Sequence, residues 1–184
     1  FYRIKRAKAC IVTEAQGHYI DLSGEWKFTL TPDQWSEETV KLPGSMLENR
    51  KGNDITLTTP WTASLYDSSF YYNPYWEKYR QKGHIKLPFF LTPEKHYVGK
   101  AWYKRTFQAD ETDGEPILIL ERVHIMSTVY LNGQMVGRPQ SSLSTPHRYN
   151  LKKYIKPGKN ELLICIDNNP QICGVGPDSY SITD

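Results

Sequence analysis

The dipeptide Asn132-Gly133, inside VYLNGQMVG (residues 129–137), is the feature that most limits how this chain can fold. Both central positions of a two-residue hairpin turn need positive φ angles, which Asn and Gly adopt most readily. Apolar and polar residues alternate before the turn, a pattern typical of a half-buried strand. The stretch therefore predicts a β-hairpin whose Val129 and Leu131 side chains face a core.

Several other short segments predict strands, and no segment shows a sustained helical period. Turn residues separate these segments at near-regular spacing, which is typical of a β-sandwich. The sequence therefore predicts an all-β fold. The predicted strands are YIDLSGEWKFTLT (19–31), AWYKRTFQA (101–109), PILILERV (116–123) and NELLICIDN (160–168).

Three local features refine this prediction. Ser23-Gly24 predicts a bend or bulge within a single strand. The apolar run at 116–120 predicts a central strand that is buried on both faces. Pro157-Gly158 predicts a type II turn directly before the last strand, in which Cys165 is expected to be a small core residue.

Strand periodicity fails between residues 42 and 99, where prolines and glycines interrupt the chain repeatedly. Thirteen of the 24 aromatic residues lie between Trp61 and Tyr103, whereas disordered segments are poor in aromatic residues. Loops of this length are uncommon unless they have a function. We therefore expect residues 42–99 to form a long, ordered, aromatic-rich excursion with a small cluster of its own.

Composition excludes several classes of protein. The net charge is only +3 and the basic residues are scattered, so no nucleic-acid partner is predicted. No apolar run approaches the roughly 20 residues of a membrane span. Three cysteines make no disulfide framework, and five histidines show no metal-ligand spacing. We accordingly predict no metal site and no cofactor.

Four motifs occur in an order that resembles the N-terminal domain of glycoside hydrolase family 2. They are WKF, G-x-AWY-x-R-x-F, VYLNG-x-x-VG and PGKNELLICIDN. That family includes β-galactosidases, β-glucuronidases and β-mannosidases. The resemblance implies a jelly-roll β-sandwich of the galactose-binding type, often called the sugar-binding domain, over residues 20–184. Residues 1–19 would then be an N-terminal extension.

The resemblance also implies that the chain is one part of a larger enzyme. It would end before the immunoglobulin-like domain and the (β/α)₈ (TIM) barrel, which carries the catalytic glutamates. The parent, most similar to a β-galactosidase, would hydrolyse O-glycosyl bonds by a retaining mechanism with two carboxylates. This domain would support and wall the carbohydrate pocket. Such relatives are commonly exported by bacteria, which implies a periplasmic or secreted protein.

No catalytic residue is predicted within the chain itself. Asn160-Glu161 has the same two residue types as the family's catalytic Asn-Glu dipeptide, but its sequence context differs, because it follows a Pro-Gly turn. We expect Glu161 to face solvent at the start of an edge strand. The chain alone is therefore expected to lack hydrolase activity.

The resemblance places one group of sugar contacts in LTPEKHYVG (91–99), which precedes a strand. In this region Tyr97 offers a ring that can stack on a sugar, and His96 offers a hydrogen bond to a hydroxyl. Packing of both side chains against the sandwich is the alternative, and the sequence does not decide between the two.

A second group of candidates lies in and around SLYDSSFYYNPYWEKYR (64–80). Aromatic rings bind the apolar CH faces of sugars, and polar neighbours reach the hydroxyl groups. The same aromatic residues also suit a purely packing role, so both interpretations stay open. The candidates are Trp61, Asp67, Tyr72, Asn73, Tyr75 and Trp76.

Three functions follow from these observations. The chain is the pocket-walling domain of a family 2 glycosidase, or an autonomous carbohydrate-binding module with an aromatic platform, or a protein-interaction sandwich. The predicted partners are a carbohydrate, a β-galactoside or related glycan, and the remaining domains of the same parent chain. The four ordered motifs favour the first function.

Overall fold

The computed structural model describes residues 9–13, 18–59, 68–83, 85–86, 95–111 and 114–169. These residues divide into two compact units. The first unit comprises the described residues from 9 to 44 and from 99 to 169, and the second comprises those from 45 to 98. Within the described ranges, no helix is both long and apolar enough to cross a membrane.

Strands account for most of the regular structure in the described residues. Two 3₁₀ helices, Ser68–Tyr71 and Pro74–Tyr79, lie in the second unit. The strands, in chain order, are β1 (Ala9–Thr13), β2 (His18–Asp21), β3 (Gly24–Thr29), β4 (Thr39–Leu42), β5 (Asn53–Asp54), β6 (Lys95–His96), β7 (Lys100–Ala109), β8 (Pro116–Leu120), β9 (Met126–Leu131), β10 (Gln134–Met135), β11 (Gln140–Ser141), β12 (His147–Asn150) and β13 (Gly158–Asp167).

Two antiparallel sheets build the first unit. A four-stranded sheet has the order β12-β8-β1-β2, and a seven-stranded sheet has the order β10-β9-β13-β7-β3-β4, with β11 also paired to β9. Alternate residues of both sheets are buried, as expected for sheets that pack through one face. The predicted all-β sandwich is confirmed. Its most buried apolar side chains include Ile11, Leu22, Trp26, Phe28, Leu118, Val129, Leu131 and Leu162.

The predicted hairpin is present and joins β9 to β10. Asn132 and Gly133 have φ angles of +52° and +80°, the pair of positive values that a two-residue turn requires. Leu131 pairs with Gln134 across the turn. Val129 and Leu131 are fully buried, so the prediction for their side chains is confirmed.

Ser23-Gly24 does more than bend one strand, and the prediction of a single strand was wrong. β2 belongs to the four-stranded sheet and β3 to the seven-stranded sheet, so the chain changes sheets here. Gly24 has a φ of +122°, which residues with a side chain rarely adopt. Arg105 secures the crossing, since its Nη1 donates to the carbonyl oxygen of Leu22 at 2.9 Å.

Two other expectations need correction. β8 is central, between β12 and β1, but Ile117 and Ile119 are only half-buried, so burial on both faces was wrong. The strand is covered fully on the face that carries Leu118. β13 lies between β9 and β7 and is not an edge strand, although Glu161 is exposed as expected.

β1 is a strand that no motif predicted. It pairs with β2 on one side and with β8 on the other, so residues 9–13 occupy the interior of the four-stranded sheet. Cys10 and Ile11 are buried there. Part of the segment before residue 20 therefore contributes directly to the core.

Candidate functional site

The first candidate segment is β6, which pairs with β5 in the second unit. His96 lies opposite Asn53, and Lys95 lies opposite Asp54. The Lys95 ammonium contacts the Asp54 carboxylate at 2.6 Å and ties the two strands together. This short sheet fixes the backbone that leads into Tyr97.

Gly52 explains how the chain passes so close to the His96–Tyr97 segment. A Cβ at residue 52 would lie 3.1 Å from the carbonyl oxygen of His96 and 3.3 Å from Cβ of Tyr97. Gly52 also has a φ of +111°. Glycine alone combines this conformation with this approach.

The two candidates of this segment differ in exposure. His96 is only 8% exposed, so its ring is shielded from solvent. Tyr97 is half-buried and keeps part of its side chain at the surface. Of this pair, Tyr97 is therefore the more accessible side chain.

The aromatic candidates are only partly described. Trp61 and Asp67 lie outside the described residues. Tyr72 and Tyr75 are among the most exposed large side chains of the chain, at 70% and 66%. Trp76 is half-buried and contacts Tyr75 edge to face, with ring centroids 4.7 Å apart.

Asn73 has a structural task. Its Oδ1 accepts a hydrogen bond from the backbone N–H of Tyr75 at 2.9 Å, which caps the second 3₁₀ helix. Pro74 follows at the first helical position, where a missing N–H does no harm. The dipeptide Asn73-Pro74 thus starts the helix that presents Tyr75.

A buried anchor holds this aromatic segment in place. Phe70 is 2% exposed and packs edge to face against Tyr71. Tyr71 donates from its hydroxyl to the carbonyl oxygen of Thr59 at 2.9 Å, and Arg80 Nη1 donates to the carbonyl oxygen of Phe70 at 2.6 Å. The exposed rings therefore stand on a segment that is tied down on both sides.

Sequence reasoning missed Lys78. Its Nζ lies 5.3 Å from the ring centroid of Tyr75 and 5.0 Å from that of Tyr79, a cation–π arrangement with both. The available signal was the spacing of three between Tyr75 and Lys78, because residues three apart align in a 3₁₀ helix. No helical period had been predicted there.

A second group that sequence reasoning missed is a buried polar cluster in the sandwich. Ser127 Oγ lies 2.6 Å from His147 Nδ1 and 2.8 Å from the hydroxyl of Tyr149, which also donates to the Ser127 carbonyl oxygen. Burial lowers the pKa of His147 and raises that of Tyr149. All three residues are at most 2% exposed, so this serine–histidine pair is closed to substrates.

The described residues contain no cluster of potential metal ligands. Nowhere among them do three or more His, Cys, Asp or Glu residues lie close enough to hold an ion. The described candidate residues offer aromatic rings, the His96 imidazole and the Asn73 amide.

Comparison with known proteins identifies the family of this chain. Residues 19–184 match the sugar-binding domain of the glycosyl hydrolases family 2. The chain belongs to this family.

Relatives of the family 2 domain carry the names of two glycosidases. The chain is 33% identical over 76 residues to a protein of Formosa agariphila named as a β-glucuronidase, covering 40% of the chain and 7% of the relative. It is also 33% identical over 82 residues to a β-galactosidase of Thermoanaerobacter pseudethanolicus, covering 44% of the chain and 11% of the relative. The chain thus matches about a tenth or less of each curated relative.

Solved structures show the same fold. A β-glucuronidase of Dictyoglomus thermophilum matches with a TM-score of 0.50 at 20% identity, covering 91% of this chain and 21% of that one. The unliganded β-glucuronidase of Ruminococcus gnavus matches with a TM-score of 0.52 at 17% identity, covering 91% and 23%. The family 2 domain therefore spans less than a quarter of either structure.

Asn160-Glu161 has a structural role in this family 2 domain. Asn160 is completely buried, and Glu161 donates its backbone N–H to Oδ1 of Asn132 at 3.0 Å. The dipeptide therefore joins β13 to the β9–β10 hairpin. A catalytic acid would instead need an open cleft and a second carboxylate about 5 Å away.

Proposed function

We propose that this chain is a non-catalytic domain of a larger family 2 glycosidase, where it supports and walls the carbohydrate pocket. The observation that carries the proposal is the family match over residues 19–184. The parent enzyme hydrolyses an O-glycosyl bond by the retaining mechanism, with its two carboxylates supplied from outside this domain. The partners are accordingly a glycan and the remaining domains of the same chain.

Tyr97 is the side chain that we propose to meet the sugar from the β6 segment. Its surface position and its aromatic face suit stacking on the CH groups of a pyranose. His96 and Gly52 contribute by fixing the backbone beneath it. The second proposed region comprises Trp61, Asp67, Tyr72, Asn73, Tyr75 and Trp76. Among its described members, Tyr72 and Tyr75 are exposed and Asn73 caps the helix.

The proposed substrate is a β-linked glycoside, with a β-galactoside first and a β-glucuronide second. The two curated relatives carry those two names. We further propose that the parent acts in the periplasm or outside the cell, because glycan-degrading relatives of this family are commonly exported.

The test uses the complete protein encoded by the gene that contains this chain. We expect it to cleave a nitrophenyl β-galactoside or β-glucuronide with retention at the anomeric carbon. Tyr97→Leu should raise KM several-fold and change kcat less, because the ring contributes to binding and not to bond cleavage. Tyr19→Leu, a change at a 48% exposed tyrosine on β2, is the matched control.

Two results would overturn this proposal. One is a complete protein that has no glycosidase activity on any of the tested glycosides. The other is a Tyr97→Leu enzyme whose KM equals that of the Tyr19→Leu control, which would remove Tyr97 from the pocket wall.

A further inference from the structure

The second 3₁₀ helix presents its side chains in three separate rows. Residues three apart align in such a helix because it has three residues per turn. One row contains Tyr75 and Lys78, and the next contains Trp76 and Tyr79. The only acidic residue of the helix, Glu77, lies on the third row with Pro74. The Tyr75–Lys78 row therefore carries a cation without a carboxylate beside it on the same row.

The ammonium of this row is held in a defined place. Lys78 Nζ stands 5.3 Å from the centroid of Tyr75 and 5.0 Å from that of Tyr79. Contact with two rings modestly favours this position of the ammonium, which lowers the entropic cost of using it. The Tyr75 ring and the Lys78 ammonium therefore lie next to each other on the surface of the helix.

The surroundings of the row are basic. The backbone N–H of Lys86 donates to the carbonyl oxygen of Tyr79 at 2.9 Å, which brings the following loop back to the helix. Lys78, Lys82 and Lys86 are all exposed, and so is Glu77. Together these four side chains carry a net positive charge, which favours an approaching anion.

The apolar part of this surface is also open to solvent. Tyr72, in the turn between the two 3₁₀ helices, is 70% exposed, and Tyr75 is 66% exposed. The side chains of Asn73 and Arg80 hydrogen-bond to the backbone of this segment and so support the rings. Exposed rings on rigid supports are typical of binding surfaces.

We propose that Tyr75 and Lys78 form a binding site for an acidic glycan, in which the Tyr75 ring takes the CH face of a uronic acid residue and the Lys78 ammonium takes its carboxylate. Tyr72, exposed three residues before Tyr75, is a second ring available to a longer glycan. The inference rests on the proposed function, since it takes the domain to contact carbohydrate. It adds the charge of the ligand, a role for Lys78, and a place for recognition away from the bond that is cleaved.

Charge complementarity selects this ligand among those that stack on tyrosine. A neutral sugar would use the ring and leave the ammonium without a partner. A carboxylate forms a charge-assisted hydrogen bond with the same ammonium, which is stronger than a neutral one. Lys78 lies against one exposed ring, that of Tyr75, and against the half-buried ring of Tyr79, so this ring and ammonium suit one sugar residue with one carboxylate.

The test is calorimetric titration of the 184-residue chain with a matched pair of ligands. One is a β-1,4-linked tetrasaccharide of glucuronic acid, and the other is cellotetraose, the same backbone with primary alcohols in place of carboxylates. We expect the acidic tetrasaccharide to bind about two- to fivefold tighter, the range of an exposed ion pair. This preference should shrink as salt rises, because exposed charges are screened.

Three variants separate the contributions. Lys78→Gln should remove the preference and leave cellotetraose binding unchanged. Tyr75→Leu should weaken both ligands, because it removes the stacking face. Lys159→Gln, which removes an exposed positive charge from β13, is the control and should keep the preference. Circular dichroism and thermal unfolding check that each variant is folded.

Equal affinity for the two tetrasaccharides overturns the inference, as does a preference that survives Lys78→Gln. Absence of binding to either ligand by the folded chain also overturns it. These outcomes leave the proposed function standing, since that is tested by cleavage and by Tyr97 in the complete protein.

Discussion

The side-chain amide of Asn132 donates a hydrogen bond from Nδ2 to Oδ1 of Asn160 at 2.9 Å. Asn132 closes the β9–β10 hairpin, and Asn160 stands near the start of β13. Oδ1 of Asn160 also accepts from Lys156 N, and its Nδ2 donates to the carbonyl oxygens of Lys156 and Gly158. Both donors and both lone pairs of this buried amide are thus satisfied.

Loss of the Asn160 amide should destabilise the domain strongly. Asn160→Leu leaves several buried backbone and side-chain groups without partners, which should lower the free energy of unfolding by about 2–4 kcal/mol. Asn132→Gly retains the positive φ and loses only the amide, so it should cost about 1–2 kcal/mol. Urea unfolding measures both, with Lys159→Ala as the exposed control. An Asn160→Leu domain as stable as the control would contradict this network.

His147 should make the domain sensitive to mild acid. The Tyr149 hydroxyl donates to the Ser127 carbonyl, which leaves Ser127 Oγ to donate to Tyr149 and to accept from His147 Nδ1–H. Nε2 of His147 is buried with no hydrogen-bond partner among the described residues. Protonation would add a buried donor and a buried charge at that atom, which is costly.

The direction of the pH effect follows from the pKa of His147. Desolvation by burial lowers the pKa of His147 below the ordinary value of 6.5, and the influence of the Ser142 backbone offsets part of this effect. The unfolded chain therefore takes up the proton first, and stability is lost as pH falls below about 6.5. The slope should reach at most about 1.4 kcal/mol per pH unit.

Urea unfolding of the wild type and of His147→Gln between pH 7.5 and pH 5 checks this expectation. Glutamine does not titrate in this range, so the loss of stability between the two pH values should be smaller in the variant. An identical pH dependence in both proteins would show that His147 is not the responsible group.

Cys165 should behave as an inert thiol in the folded domain. It is 6% exposed, and burial raises the pKa of its thiol to about 11. Compared with an ordinary thiol, this lowers the thiolate fraction at pH 8 by about a hundredfold, and the thiolate is the reactive form.

Alkylation by iodoacetamide at pH 8 tests this in a Cys10→Ser, Cys173→Ser background, which leaves Cys165 as the sole thiol. Labelling should be very slow in buffer and should reach the rate of a free cysteine in urea. Rapid labelling of the folded protein would mean that the strand opens at this position.

Gly52 should be sensitive to the addition of a single methyl group. In Gly52→Ala the new Cβ would meet the His96 carbonyl at 3.1 Å, in a conformation that alanine rarely adopts. We expect a loss of stability of about 1–3 kcal/mol and a displaced Tyr97 segment.

Gly83→Ala provides a matched control for Gly52→Ala. Gly83 also has a positive φ, of +81°, but no atom lies within 4 Å of an added Cβ there. The difference in melting temperature between the two variants therefore reports the contact with His96 together with the difference between φ values of +111° and +81°. Equal melting temperatures would remove this contact as a determinant of the segment.

Sequence reasoning succeeded where the determining interactions are local. The Asn132-Gly133 turn depends on two φ angles and on the alternation around it, and both can be read from neighbouring residues. It failed at Ser23-Gly24, because alternation continues through the crossing and does not reveal that β2 and β3 pair with different strands. Strand pairing depends on contacts between residues that are distant in the chain.

In the candidate site, too, some features could be predicted from local sequence and others could not. The exposed aromatic residues could be named from composition, and Tyr72 and Tyr75 are indeed at the surface. Lys78 was missed because its relation to Tyr75 depends on a 3₁₀ helix of only six residues, in which a spacing of three does not stand out as a periodic pattern. The buried Ser127–His147–Tyr149 cluster escaped because it joins strands of two different sheets.

The strands that precede and follow residues 45–98 share a neighbour. β4 leaves the first unit and β7 re-enters it, and both pair with β3. The cost of closing a loop rises only with the logarithm of its length, so this insertion point tolerates segments of very different size. Evolution can therefore lengthen, shorten or replace the segment that carries Tyr75, Lys78 and Tyr97 while the strand order stays the same. For an engineer, the same junction is a natural place to exchange this segment between members of the family.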